Sequence, residues 1–206
     1  MNFGILASLI VFCVWLAYEI RKSKKIESRH KKSFWDLENE ANNTRRKPLD
    51  DLVYITIPFD ILPFNLLTDD AEIAECHQTL RSLSEHPVVN FTGISNTDLK
   101  LRYGAPNIDL LSQYDQRYTL LARTLQKWAE RLASDGYIAE PITILEFAVS
   151  TGTDVSRSYF LLADLYQRLG RREDIERLIP AAELLNSTLR NHIVERLKSL
   201  SHYEDQ

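Results

Sequence analysis

The sequence predicts an all-α chain: a single N-terminal transmembrane helix, then an α-helical hairpin domain, with one short extended apolar segment between them. Three observations lead there. Phe3 to Tyr18, FGILASLIVFCVWLAY, runs without a charge or a proline, and basic residues follow closely. From residue 69 onward apolar residues recur at three- and four-residue intervals, the period of a helix face. The run VYITIPFDILPF (Val53 to Phe64) instead begins with the alternation of an extended chain.

With its flanks the first run supplies about 18 helical residues, or ~27 Å, enough to cross a hydrocarbon core. Nine of its residues are Leu, Ile, Val or Phe, each favouring insertion by roughly 0.3–0.6 kcal/mol. A secretory signal peptide needs a basic leader and a small-residue cleavage site. Only Met1 and Asn2 precede this run, and Tyr-Glu-Ile-Arg-Lys follows it. An uncleaved anchor over residues 1–20 is therefore expected, with the bilayer as its partner through residues 3–20.

Charge is unevenly placed. Residues 21–47 carry ten Lys/Arg against four acids, whereas residues 48–206 carry fifteen against twenty-four, within an overall net charge of −4. Arg21, Lys22, Lys24, Lys25, Arg29, Lys31 and Lys32 lie close behind the apolar run, where basic bias sets orientation. The expectation is a cell-membrane protein with its N-terminus outside and its soluble part cytoplasmic. The same cluster suits anionic lipid. A nucleic-acid partner is not expected, because the remainder is acidic. Asn-X-Ser/Thr triplets at Asn42, Asn90 and Asn186 are read as coincidences of composition on a cytoplasmic chain. Cys13 and Cys76 are too few for a disulfide framework or a zinc site.

Residues 21–52 read as a basic juxtamembrane linker with one short helix. Ser33 followed by Asp36 is a helix-start signal, Phe34, Leu37 and Ala41 share a face, and Asn42-Asn43 and Pro48 stop the helix. Phe34 and Trp35 lie either on the bilayer or on the domain. Residues 53–68 form an extended strap. Pro58 and Pro63 limit it to an edge strand or an irregular segment, and no second strand offers to pair with it, so it should lie against helices. An enzyme lid is the sharper reading, and nothing nearby supports that.

The helical domain spans residues 69–206. Asp69 or Asp70 is placed to cap a helix from Ala71 to His86, which Pro87 ends. Thr97-Asp98 opens a short helix that stops at Gly104-Ala105-Pro106. Asn107 is expected to cap one long helix through to Gly136. Asn186-Ser187 begins a last helix running to Leu200.

Two stretches 34 residues apart correspond. Arg123, Ala129, Gly136 and Ala148 recur as Arg157, Ala163, Gly170 and Ala182, and apolar residues Leu125, Trp128 and Leu132 fall on Tyr159, Leu162 and Tyr166. Each unit reads as apolar helix, small residue, glycine stop, second helix, second small residue. Small residues let helices approach closely. Here the chain, over residues ~122–200, resembles tetratricopeptide repeats, helix–turn–helix units of 34 residues. Pro141 suits the first turn of a second helix. Pro141 and Ile175 depart from the usual alanine, and the usual terminal proline is missing. Pro180 predicts a kink or an early end.

The resemblance implies a concave face built from the second, fifth, ninth and twelfth places of each first helix. Those places point to Arg123, Gln126, Glu130, Arg157, Phe160, Asp164 and Gln167 as candidate protein-binding residues. Phe160 is either an outward anchor or packed under the last helix; Trp128 and Tyr166 read as core. Catalytic motifs do not emerge. His77 beside Cys76 invites a metal, but adjacent helical residues diverge and no second pair stands at ligand spacing. A buried Cys76 beside a surface His77 is expected. Asp50-Asp51 and Asp69-Asp70 read as loop and cap residues. No cofactor is expected. The resulting expectation is a non-catalytic, membrane-anchored scaffold or adaptor for a protein or peptide. Its rivals are a purely structural membrane-associated protein and an enzyme or regulator of unrecognised type.

Overall fold

The computed structural model describes residues 12, 13, 15, 16, 18–22 and 33–201. Among them the chain is helical and contains no strand. Most of the apolar run at 3–18 lies outside the described residues, and among those described no helix is long and apolar enough to cross a membrane. Residues 12, 13, 15, 16 and 18–22 are helical. The elements that follow are α1 (33–42), α2 (Ala71–Ser84), α3 (Asn96–Tyr103), α4 (Ile108–Ser134), α5 (Ala139–Ser150), α6 (Ser156–Arg168), α7 (Arg172–Glu183) and α8 (Arg190–Ser201).

The chain divides into two compact units. In the first, α1 meets α3. Lys100 Nζ donates to Glu38 Oε1 at 2.6 Å and to Asn42 Oδ1 at 2.7 Å, and Thr97 Oγ1 donates to Glu38 Oε2 at 2.6 Å. The Lys100 hydrogen bond, with help from Thr97, holds the Glu38 carboxyl below its ordinary value. Ala41 is buried, while Phe34, Trp35 and Leu37 remain exposed. Residues 96–107 group with residues 1–47 in this unit. The reason is a tie at both ends of α3, since the Lys47 N–H also donates to the Tyr103 carbonyl at 3.0 Å. Asn107 does not cap α4 with its side chain, as the sequence predicts. Its Nδ2 instead donates to the carbonyls of Lys47, at 2.9 Å, and Tyr103, at 2.8 Å, so the amide serves the preceding turn.

The second unit packs α2 on α4, α4 on α5, α5 on α6, α6 on α7, and α8 on both α6 and α7. Asp70 caps α2: its Oδ1 accepts from the Glu72 and Ile73 N–H groups at 2.9 and 3.0 Å. Ile73, Cys76, His77, Leu80 and Leu83 make the buried face of α2. His77 is thus inside, contrary to the surface position expected. The strap widens the buried stripe by laying Phe64 over it, with Phe64 and His77 ring centroids 4.7 Å apart. Along the strap Ile57 and Leu62 are buried and Val53 and Ile61 exposed, and the Ile55 N–H donates to the Val88 carbonyl at 2.9 Å.

Both glycine stops share one geometry. Gly136 (φ +90°) ends α4, with its N–H on the Ala133 carbonyl and the Tyr137 N–H on the Leu132 carbonyl; Gly170 (φ +70°) ends α6 with the matching bonds to Gln167 and from Arg171 to Tyr166. A left-handed residue here lets the last carbonyls of the helix find donors, a conformation that favours glycine. Ala129, Ala148, Ala163 and Ala182 are all fully buried, as close helix approach requires. Pro180 does not end α7 early, because the helix continues to Glu183. The proline lacks an N–H for the carbonyl one turn back, yet Ala182 beyond it is buried. The last helix begins at Arg190, later than expected, after a turn in which Ser187 Oγ accepts from the Leu189 N–H.

Candidate protein-binding surface

The seven candidate residues lie on α4 and α6, and the fold disperses them. Arg123 is exposed but turns toward α2, where it lines a depression of about 190 Å³ with Glu75, Cys76, Thr79, Leu120, Thr124 and Lys127. Gln126 is not on a surface. It is 6 % exposed, and its Oε1 accepts from Ser158 Oγ at 2.5 Å, joining α4 to α6 in the core. The fifth place of the first unit therefore faces the next helix and not solvent.

Glu130 and Arg157 are brought together across α4 and α6, at 3.6 Å. Arg157, Phe160, Asp164 and Gln167 are spaced to follow one stripe of α6. Arg157 and Gln167 are exposed, and Asp164 is half-buried and pairs with Arg168 at 2.8 Å. Phe160 is half-buried, with its ring edge-on to His192 of α8 at 5.5 Å. Of its two readings, packing under the last helix describes what is seen. The polar stripe that remains is Glu130, Arg157, Asp164 and Gln167, with Phe160 anchored beside it. Such exposed pairs are screened by water and contribute little to stability, which leaves them available to a partner.

Two clusters are invisible in the sequence because their members are distant in the chain or carry no motif. Tyr166 OH donates to Glu146 Oε1 at 2.6 Å, and the Arg171 guanidinium lies 4.7 Å from the Tyr166 ring centre and 2.6 Å from Asp174. Burial and the Glu146 carboxylate push the Tyr166 hydroxyl up, so it stays a donor. The second cluster is the set of rings Phe59 and Phe64 of the strap, His77 of α2 and Trp128 of α4. Burial raises the adjacent Cys76 thiol to about 11, leaving it a neutral, packed group. Among the described residues no three His, Cys, Asp or Glu side chains are placed to hold a metal ion.

Arg131 and Lys127 tie α4 to α2. Arg131 pairs with Asp70 at 2.8 Å and also with Asp135, and Lys127 pairs with Glu75 at 2.7 Å. The Lys127 hydrogen bond holds the Glu75 carboxyl low. Of these pairs Arg131–Asp70 is the more buried, and the α6 stripe is taken as the candidate surface. Comparison of the chain with protein-family models, with curated proteins and with solved structures gives no match.

Proposed function

We propose that this chain is a non-catalytic scaffold, anchored in the membrane by residues 1–20, whose tetratricopeptide-like surface binds a protein or peptide at the cytoplasmic face. The observation that carries the repeat reading is the pair of matching glycine turns at Gly136 and Gly170, each behind a fully buried alanine. The anchor and the orientation rest on the apolar run and the basic cluster behind it. The binding surface is the α6 stripe with Glu130, where charged and amide groups stand beside a seated aromatic ring.

Photocrosslinking tests this in the full chain in native membranes, with the probe residue at position 157, 167 or, for comparison, 176 on α7. The same specific adduct should form from 157 and 167, not from 176, and Arg157→Glu should abolish the adduct from 167. Equal adducts from all three positions, or none from 157 and 167, would reject the surface. Alkaline extraction tests the anchor separately. The full chain should stay with the bilayer and a chain lacking residues 1–20 should be released.

A further inference from the structure

His77 occupies a poor place for a charge. Its ring lies between Phe64 of the strap, 4.7 Å between centroids, and Trp128 of α4, 4.8 Å and nearly perpendicular. Phe64 also meets Trp128 at 5.0 Å and Phe59 at 4.9 Å, so one strap residue joins the strap to both helices through these rings. The His77 side chain is buried and its Nε2 has no hydrogen-bond partner. A neutral imidazole tolerates this with one bare lone pair. An imidazolium carries N–H on both nitrogens, and the cage offers Nε2 no acceptor.

The charges that reach His77 do not help. Arg81, one turn along α2, has the same sign, and Cys76 beside it is held neutral by burial. The strap and α4 present Phe64 and Trp128, both uncharged. Burial first, and Arg81 second, hold His77 below its ordinary 6.5. The strap is also held by Ile57 and Leu62 in the core, by Tyr54 edge-on to Tyr114 of α4 at 6.2 Å, and by the Ile55–Val88 backbone bond. The ring contact of the strap with α2 is therefore made on a titratable group, whereas Phe64 and Tyr54 also meet Trp128 and Tyr114 of α4 directly.

We propose that His77 and Phe64 form an acid-sensitive latch: protonation of the imidazole expels the Phe64 ring and lets the strap lift from α2 and α4. Lifting exposes the apolar α2–α4 face beneath Ile57 and Leu62. The latch stands independently of what the α6 stripe binds. His86, exposed beside the strap where it lines a cavity of about 570 Å³ with Tyr54, Thr56 and Phe59, is the natural control, since it lies outside the ring cage next to the same segment.

Hydrogen exchange on the full chain in lipid nanodiscs, at pH 7.5 and pH 5.0 and corrected for intrinsic rates, tests the latch. The Ile55, Leu62 and Phe64 amides should open several-fold more often at the lower pH, because the imidazole binds its proton more tightly with the strap lifted. Amides of α6 to α8 should not change. His77→Phe should remove the pH response and His86→Phe should keep it. Should His77→Phe fail to fold, His77→Gln serves in its place, being neutral at both pH values. Equal strap opening at the two pH values, a response surviving in the His77 variant, or equal loosening of α6 to α8 would overturn the latch.

Discussion

Ser158 on α6 donates its hydroxyl to Gln126 on α4 at 2.5 Å, and both side chains are buried. The bond joins consecutive hairpins through polar groups in an apolar core, where an abandoned partner is costly. Gln126 Nε2 already lacks a partner. Ser158→Ala should therefore destabilise the chain by ~1–3 kcal/mol, read from urea denaturation. Combining it with Gln126→Leu should recover most of that loss, because no buried polar group is then stranded. A strictly additive double variant would show that the two residues are not coupled.

Ala129 and Ala163 are wholly buried where helices approach. Leucine at either site must push backbones apart, at ~1–3 kcal/mol. The exposed Glu176→Leu should stay within about 0.5 kcal/mol of the parent. Thermal melts of the three variants check this, and a neutral Ala163→Leu would mean that the interface is loose.

Gly136 and Gly170 have positive φ, and an added methyl at either would meet no atom within 4 Å. Alanine there should cost only the backbone term, about 1–2 kcal/mol. Similar losses at both sites, measured by chemical denaturation, would fit one shared turn geometry, whereas a much larger loss at one would mean hidden packing.

Asp70 links α2 capping to the α2–α4 ion pairs. The Ile73 N–H is the largest influence lowering its carboxyl from 3.8, with Arg131 adding to it. A lowered folded-state value means stability that is present above 3.8 and lost as pH falls through the folded value. Asp70→Ala should thus melt below the parent at pH 6, and the gap should close as pH drops below 3.8. A gap that stays constant down to pH 2.5 in circular dichroism melts would exclude the charge as its source.

Much of the architecture is legible in the chain because its signals are local. Asp70 before Ala71, Pro87 after His86 and the glycines at 136 and 170 act on backbone within a turn or two of themselves, so each marks a helix end in any packing. The 34-residue correspondence locates four alanines that prove to be buried. Pro58 and Pro63 keep the strap from being read as a central strand. Pro180 does not shorten α7, because a helix interrupted at one hydrogen bond is still held by its packed face, with Ile175, Leu178 and Ala182 buried.

Tertiary packing decides which faces those helices hide. Gln126 and Phe160 fall on the same nominal stripe as Arg157, yet Ser158 draws Gln126 inward and His192 of α8 flanks Phe160. His77 is buried only because Phe64, thirteen residues earlier, and Trp128, fifty-one residues later, close over it. Helical periodicity specifies that a residue points to a given side of its own axis. What stands on that side depends on neighbours brought from elsewhere in the chain, and burial, pairing and proton affinity follow from those neighbours.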